Sequence, residues 1–200
     1  MSSLKQDFDE LVTRIKQGRE FQHASFEPIY YLVFSPKQII EVKRQTKAWI
    51  QMLQKQGWNV HTFSIAEHVN GILNSVPAFR RNIWLKQDAA APQEWTKTNN
   101  SLANTLNDKD KGLQTRLEQK LNELEGDEKA LLLVTDLEAL HPYMRIGSVE
   151  SQLQGRFSVP TVFLYPGVRT GQTRLKFLGF YPEDGNYRSM HVGGWANGRT

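Results

Sequence analysis

Ala130-Leu131-Leu132-Leu133-Val134-Thr135-Asp136 decides the fold of this chain. Its apolar residues follow one another without alternation, the pattern of a strand covered on both faces, and a carboxylate stands where the strand should end. Pro28-Ile29-Tyr30-Tyr31-Leu32-Val33-Phe34 is a second run of this kind, so both are read as central strands. Trp58 to Phe63, Val159 to Tyr165 and Thr173 to Phe180 supply further strands. The last two are joined by Pro166 to Gln172, a connection short enough for a hairpin. Helical stripes fill the intervals. Leu4, Phe8, Leu11, Val12 and Ile15 mark a first helix ending near Gly18. Ile39, Val42, Thr46, Trp49, Ile50 and Leu53 mark a second, opened by Ser35-Pro36 and closed at Gly57. A third starts at the capping-box spacing Ser64-Ile65-Ala66-Glu67 and runs to about Leu73. Leu113, Leu117, Leu121 and Leu124 form another, and Pro142, Tyr143, Ile146, Val149 and Leu153 the last. Strands alternating with helices predict one α/β domain over residues 1–200, a three-layer and mostly parallel sheet with helices on both faces and an antiparallel edge hairpin.

From Arg80 to Gly112 the apolar pattern thins. Gln87-Asp88-Ala89-Ala90-Ala91-Pro92-Gln93 and Asn107-Asp108-Lys109-Asp110-Lys111 read as exposed, mobile stretches, so a polar insertion or lid is expected around residues 86–112 within the one domain. The 200-residue length suits a single core. No uninterrupted apolar stretch is long enough to span a bilayer, and Met1-Ser2-Ser3-Leu4-Lys5-Gln6-Asp7 reads as a polar helix opening rather than a secretory signal. A soluble, cytoplasmic protein is expected. With no cysteine among 200 residues, disulfides, thiolate metal sites and a cysteine nucleophile are excluded. The net charge of +4 gathers toward the C-terminus, where Arg169, Arg174, Lys176, Arg188 and Arg199 stand against Glu183 and Asp184. That excess suits an acidic partner or nucleic acid, but it lacks the dense basic stripe of a dedicated DNA-binding domain.

The motifs exclude more chemistry than they offer. A strand ending in Asp136 resembles the one that carries the magnesium-associated carboxylate in P-loop NTPases, and the predicted architecture resembles that fold without its phosphate loop. A phosphate loop needs glycines, so that backbone N–H groups can wrap the anion, and a lysine directly after the last of them. This chain has no Gly-Lys dipeptide, and Ser35-Pro36-Lys37 follows the first strand, with Pro36 removing a donor. Asp136 and Glu138, two apart at a strand end, can share a face to bind a divalent cation or act as an acid/base pair, or Asp136 can simply cap the following turn. His23, His61, His68, His141 and His191 have no zinc-ligand spacing, and neither a nucleophile elbow nor a dinucleotide fingerprint occurs. No cofactor, metal or catalytic residue is therefore expected. Trp49 and Trp58 fit a packed core, whereas Trp95 and Trp195 lie in polar surroundings where an aromatic serves as a partner anchor or folds back.

The richest stretch is Leu178-Gly179-Phe180-Tyr181-Pro182-Glu183-Asp184-Gly185-Asn186-Tyr187-Arg188-Ser189. Pro182 and Asp184-Gly185-Asn186 predict a sharp turn that presents Tyr181, Tyr187 and Arg188. Two readings stand side by side: a partner-binding surface, or a stabilised corner in which Asp184 pairs with Arg188 and Asn186 satisfies turn amides. Taken in order with Ala130 to Asp136 and with Pro160-Thr161-Val162-Phe163-Leu164-Tyr165-Pro166-Gly167, this run resembles the C-terminal signature of the BrxB family, small components of bacterial BREX phage-defence systems. The resemblance implies a non-enzymatic interaction protein within a BREX complex. The alkaline-phosphatase-like PglZ component is then the expected partner, with the methyltransferase and ATPase components as others. Tyr181, Asp184, Gly185, Asn186, Tyr187, Arg188 and Trp195 are the expected partner-binding residues. The alternative is a nucleic-acid-binding module using the basic C-terminal region, with weak or indirect DNA contact otherwise.

Overall fold

The computed structural model describes residues 3–20, 27–185 and 189–195. In chain order the elements are α1 (Leu4–Glu20), β1 (Ile29–Phe34), α2 (Ile39–Lys55), β2 (Asn59–Ser64), α3 (Ile65–Ser75), α4 (Ala78–Ala90), α5 (Trp95–Leu106), α6 (Leu113–Leu124), β3 (Ala130–Thr135), α7 (Ile146–Gln152), β4 (Thr161–Arg169), β5 (Arg174–Phe177), β6 (Glu183–Gly185) and β7 (Met190–Gly193). The main sheet runs β2-β3-β4-β1-β7 with every neighbouring pair parallel. β5 pairs antiparallel with the far end of β4, and β6 pairs antiparallel with β5.

Strand periodicity explains the layers. Along β1, Tyr30, Leu32 and Phe34 join Leu131, Leu133, Val162, Leu164 and the apolar faces of α1 and α2 in one core. Ile29, Tyr31 and Val33 join Leu132, Val134, Phe163, Tyr165 and the faces of α3, α6 and α7 in the other. Successive side chains point to opposite faces, so a strand with a core on each side must be apolar throughout. That is why β1 and β3 are continuous runs. Phe8 of α1 stacks on Trp49 of α2 with centroids 4.4 Å apart, which locks the two helices of one layer together.

Several local readings shift. The connection from β1 to α2 is a 3-10 turn over Pro36–Gln38, closed by a capping box in which Ser35 Oγ accepts from the Lys37 N–H and the Gln38 side chain accepts from the Ser35 N–H. Residues 86–112 are mostly helical: the end of α4, a 3-10 turn over Pro92–Glu94 and α5 make a helical arm packed on α3. Their pattern is thin because the arm buries few side chains, chiefly Trp84, Thr98 and Leu106. The helix expected from Pro142 begins only at Ile146. The strand expected over Thr173 to Phe180 ends at Phe177, and Leu178 and Gly179, at φ 51° and 78°, make the turn there. The sharp turn expected at Asp184-Gly185-Asn186 is corrected in part, since Asp184 and Gly185 lie in β6, paired with Leu175 and Arg174. Asn186 is outside the described residues.

Candidate functional site

Two side-chain clusters carry chemistry. The first stands at the carboxyl end of β3, where Asp136 takes a left-handed conformation with φ 59°. Its Oδ2 accepts hydrogen bonds from Ser64 Oγ at 2.7 Å and Thr135 Oγ1 at 2.8 Å. Lys43 of α2 reaches over the sheet edge, with Nζ 2.8 Å from Asp136 Oδ1 and 2.7 Å from Glu138 Oε1. Asp136 and Glu138 thus do come together, but through an ammonium held between them. Burial alone would raise the Asp136 carboxyl, yet Lys43, Ser64 and Thr135 outweigh it and hold it below the ordinary carboxylate range. Hydrogen bonds to Asp136 and Glu138 raise the Lys43 ammonium above its ordinary value. Among the described residues no group of three or more acidic or histidine side chains is arranged to hold a metal ion.

This cluster predicts a flat pH response. A depressed Asp136 contributes stability above the ordinary 3.8 and loses it as pH falls through its lower folded value. A raised Lys43 contributes below the ordinary 10.5 and loses it as pH climbs through its higher folded value. Lys43→Met should therefore cost about 1 kcal/mol, because Lys43 is half exposed, and by the same amount from about pH 5 to pH 9. The gap from the parent closes in acid below the carboxylate range and in alkali above the raised Lys43 value. Urea titrations of both proteins across pH check this.

The second cluster lies where the β5–β6 extension meets α7. Tyr181 shares a hydrogen bond between its hydroxyl and His141 Nδ1. The exposed ring of Phe180 stacks on Tyr181 at 4.8 Å and meets His141 edge-on at 5.5 Å. Arg145 Nη1 donates to both carboxylate oxygens of Asp184, each at 3.0 Å, and the guanidinium lies 5.9 Å from the Tyr181 ring centroid. Behind this pair opens a cavity of about 240 Å³, with Tyr31, Glu150, Tyr165 and Phe177 among its walls. The Tyr31 hydroxyl donates to the buried Glu150 carboxylate. Burial, then the Asp184 carboxylate, push the Tyr165 phenol up, so it stays a neutral donor at every physiological pH.

Of the residues expected to bind a partner, the structure gathers Tyr181, Asp184 and Gly185 at this cluster. Asn186, Tyr187 and Arg188 lie outside the described residues, as does His23. The corner reading paired Asp184 with Arg188; the bidentate partner seen for Asp184 is Arg145. Trp195 stands apart at the end of β7, bridged to Arg169, with the Arg169 guanidinium 4.1 Å from the indole centroid. Its surroundings are therefore less open than its polar sequence neighbours suggest. His141, Phe180 and Arg145 were not among the expected residues. Phe180 lies inside the motif and was legible, whereas Arg145 sits 39 positions from Asp184 with no local signal.

The C-terminal cations are also partly committed. Arg169 is buried, donating from Nη1 to the His191 carbonyl at 2.8 Å, and Arg174 stands 3.7 Å from Glu183. His191, on β7, is lowered to about 4 by burial and by the neighbouring Arg169. His68 stacks on Phe63 at 3.8 Å. No described helix is long and apolar enough to cross a membrane.

The family model described as BREX protein BrxB matches residues 62–192, well over half of the chain, from β2 into β7, taking in Asp136, Glu138, His141, Arg145, Phe180, Tyr181 and Asp184 but not Lys43. No curated protein and no solved structure matches.

Proposed function

The chain belongs to the BrxB family, and so to the components of BREX phage-defence systems; from that premise we propose that it is a cytoplasmic, non-catalytic adaptor that docks a PglZ-type, alkaline-phosphatase-like partner through the surface around Tyr181. The observation that carries the reading is the exposed Phe180 ring, stacked on a Tyr181 that His141 and Arg145 hold in place. Aromatic side chains on a pre-ordered surface make good contact anchors, since little ordering entropy is spent on binding. Asp184 and Arg145 then act as positioning residues, and Tyr187 and Arg188 extend the same stretch of chain. The methyltransferase and ATPase components are further partners in this reading.

Two features support a non-catalytic role. The carboxylates at the end of β3 are bridged by Lys43, so one of their two negative charges is already balanced by the protein's own cation. The turn after β1 begins with proline rather than a glycine loop. Direct DNA binding is the weaker reading, because Arg169 and Arg174 are already engaged within the chain.

Calorimetric titration of the full chain into the PglZ-type protein of the same system tests the proposal. Phe180→Ala should leave the melting temperature unchanged and weaken binding by roughly tenfold or more. Undiminished affinity would move the interface away from this cluster.

A further inference from the structure

α4 presents apolar side chains in two directions, about 100–140° apart around the helix. Inward, Trp84 is buried, and its indole N–H donates to Ser101 Oγ of α5 at 2.8 Å, which holds the arm together. Outward, Phe79 and Ile83 stand one turn apart at 69% and 55% exposure. Leu85, on the wall of the cavity between α4 and α5, and Trp95 are 68% and 54% exposed, and among the described residues outside this arm the large apolar side chains exposed to this degree are Ile40 and Phe180. A helix apolar on both sides is normally covered on both. Here no described element covers the second.

Charge narrows what the cover is. Arg80 and Lys86 flank Phe79 and Ile83 on the helix surface and make no ion pair among the described residues. Asp88, nine positions after Phe79, falls half a turn away and lines the cavity between α4 and α5 instead. The outer face is thus apolar with a positive rim. A second copy of the chain on a two-fold axis would set Arg80 and Lys86 against their own images, which opposes self-association. We propose that this face docks an acidic amphipathic helix of another protein. Phe79 to Ala90 spans about 17 Å, or three turns, so a segment of that length suffices. The proposal is independent of the Phe180–Tyr181 surface and stands or falls without it.

The test uses the full chain with p-benzoylphenylalanine in place of Phe79, which keeps an aromatic ring at this exposed position on the outer face of α4, expressed in cells that carry the whole BREX system and irradiated. Mass spectrometry of the adduct is expected to return a segment of a different chain in which Asp and Glu flank a helical apolar stripe. Ile83→Ser, and separately Arg80→Glu with Lys86→Glu, should each cut the adduct by about tenfold without changing the melting temperature. An adduct to a second copy, to a basic or non-helical segment, or none at all would overturn the proposal. So would adduct yields indifferent to the charge reversal, or a fall in melting temperature for Ile83→Ser, which would mean that the chain itself covers this face.

Discussion

Gly194→Ala is expected to be among the most destabilising single-methyl changes available to this protein, at about 2–5 kcal/mol in urea denaturation. Gly194 holds φ 70°, and a Cβ there would sit 2.2 Å from Val33 Cγ1 and 2.6 Å from Val33 Cβ. Val33 belongs to β1 and is fully buried, so it has nowhere to retreat. Two costs therefore add: the left-handed backbone of an L-residue, about 1–2 kcal/mol, and overpacking of a closed core, about 1–3 kcal/mol. Gly57→Ala separates them, because Gly57 has φ 89° with no atom near its would-be Cβ. It should show the backbone cost alone. Equal losses at the two sites would mean that Val33 does yield and that β7 is less tightly seated than described.

The second large effect is acid sensitivity centred on His191. Its folded value is lowered to about 4 by burial and by Arg169, against the ordinary 6.5 in the unfolded chain. Above 6.5 neither state takes up the proton and the histidine is silent. Between 6.5 and about 4 the unfolded chain binds a proton that the folded one refuses, so stability declines as pH falls through this window. The 2.5-unit difference corresponds to about 3 kcal/mol. His191→Gln should remove that part of the slope, whatever it does to stability at neutral pH. Denaturation midpoints for parent and variant from pH 7.5 to 4 decide it, and parallel curves would show that the imidazole is open to solvent after all.

The two effects bear on what was legible in the sequence. β1 and β3 were plain because a strand with a core on each side leaves an unbroken apolar run, and Ser35 and Ser64 announced the turns they cap. β6 and β7 were not. Each is short, and Met190-His191-Val192-Gly193 mixes polarities because its place is set by β1 alongside it and by Arg169 beneath. Likewise Lys43 reads as one more surface lysine on α2, and only the crossing of α2 over the end of β3 brings it to Asp136 and Glu138. Phe180 and Asp184 belonged to a motif conspicuous in itself. Their partners His141 and Arg145 lie in a connection whose proximity is a tertiary fact, invisible to any local pattern. The helical arm was missed for a related reason: with few residues buried, it carries little periodicity to read.

β4 is one unbroken strand serving two pairings. Thr161 to Pro166 align with β1 in the middle of the sheet, and Gly167 to Arg169 continue straight on to hold β5. The β5–β6 extension is therefore no flap on a hinge but the cantilevered end of a beam whose root is clamped between β3 and β1. A load applied at Asp184 passes across the β6–β5 and β5–β4 pairings into β4 and so into the middle of the protein. The end of the extension is thus tied through one strand to the centre of the sheet.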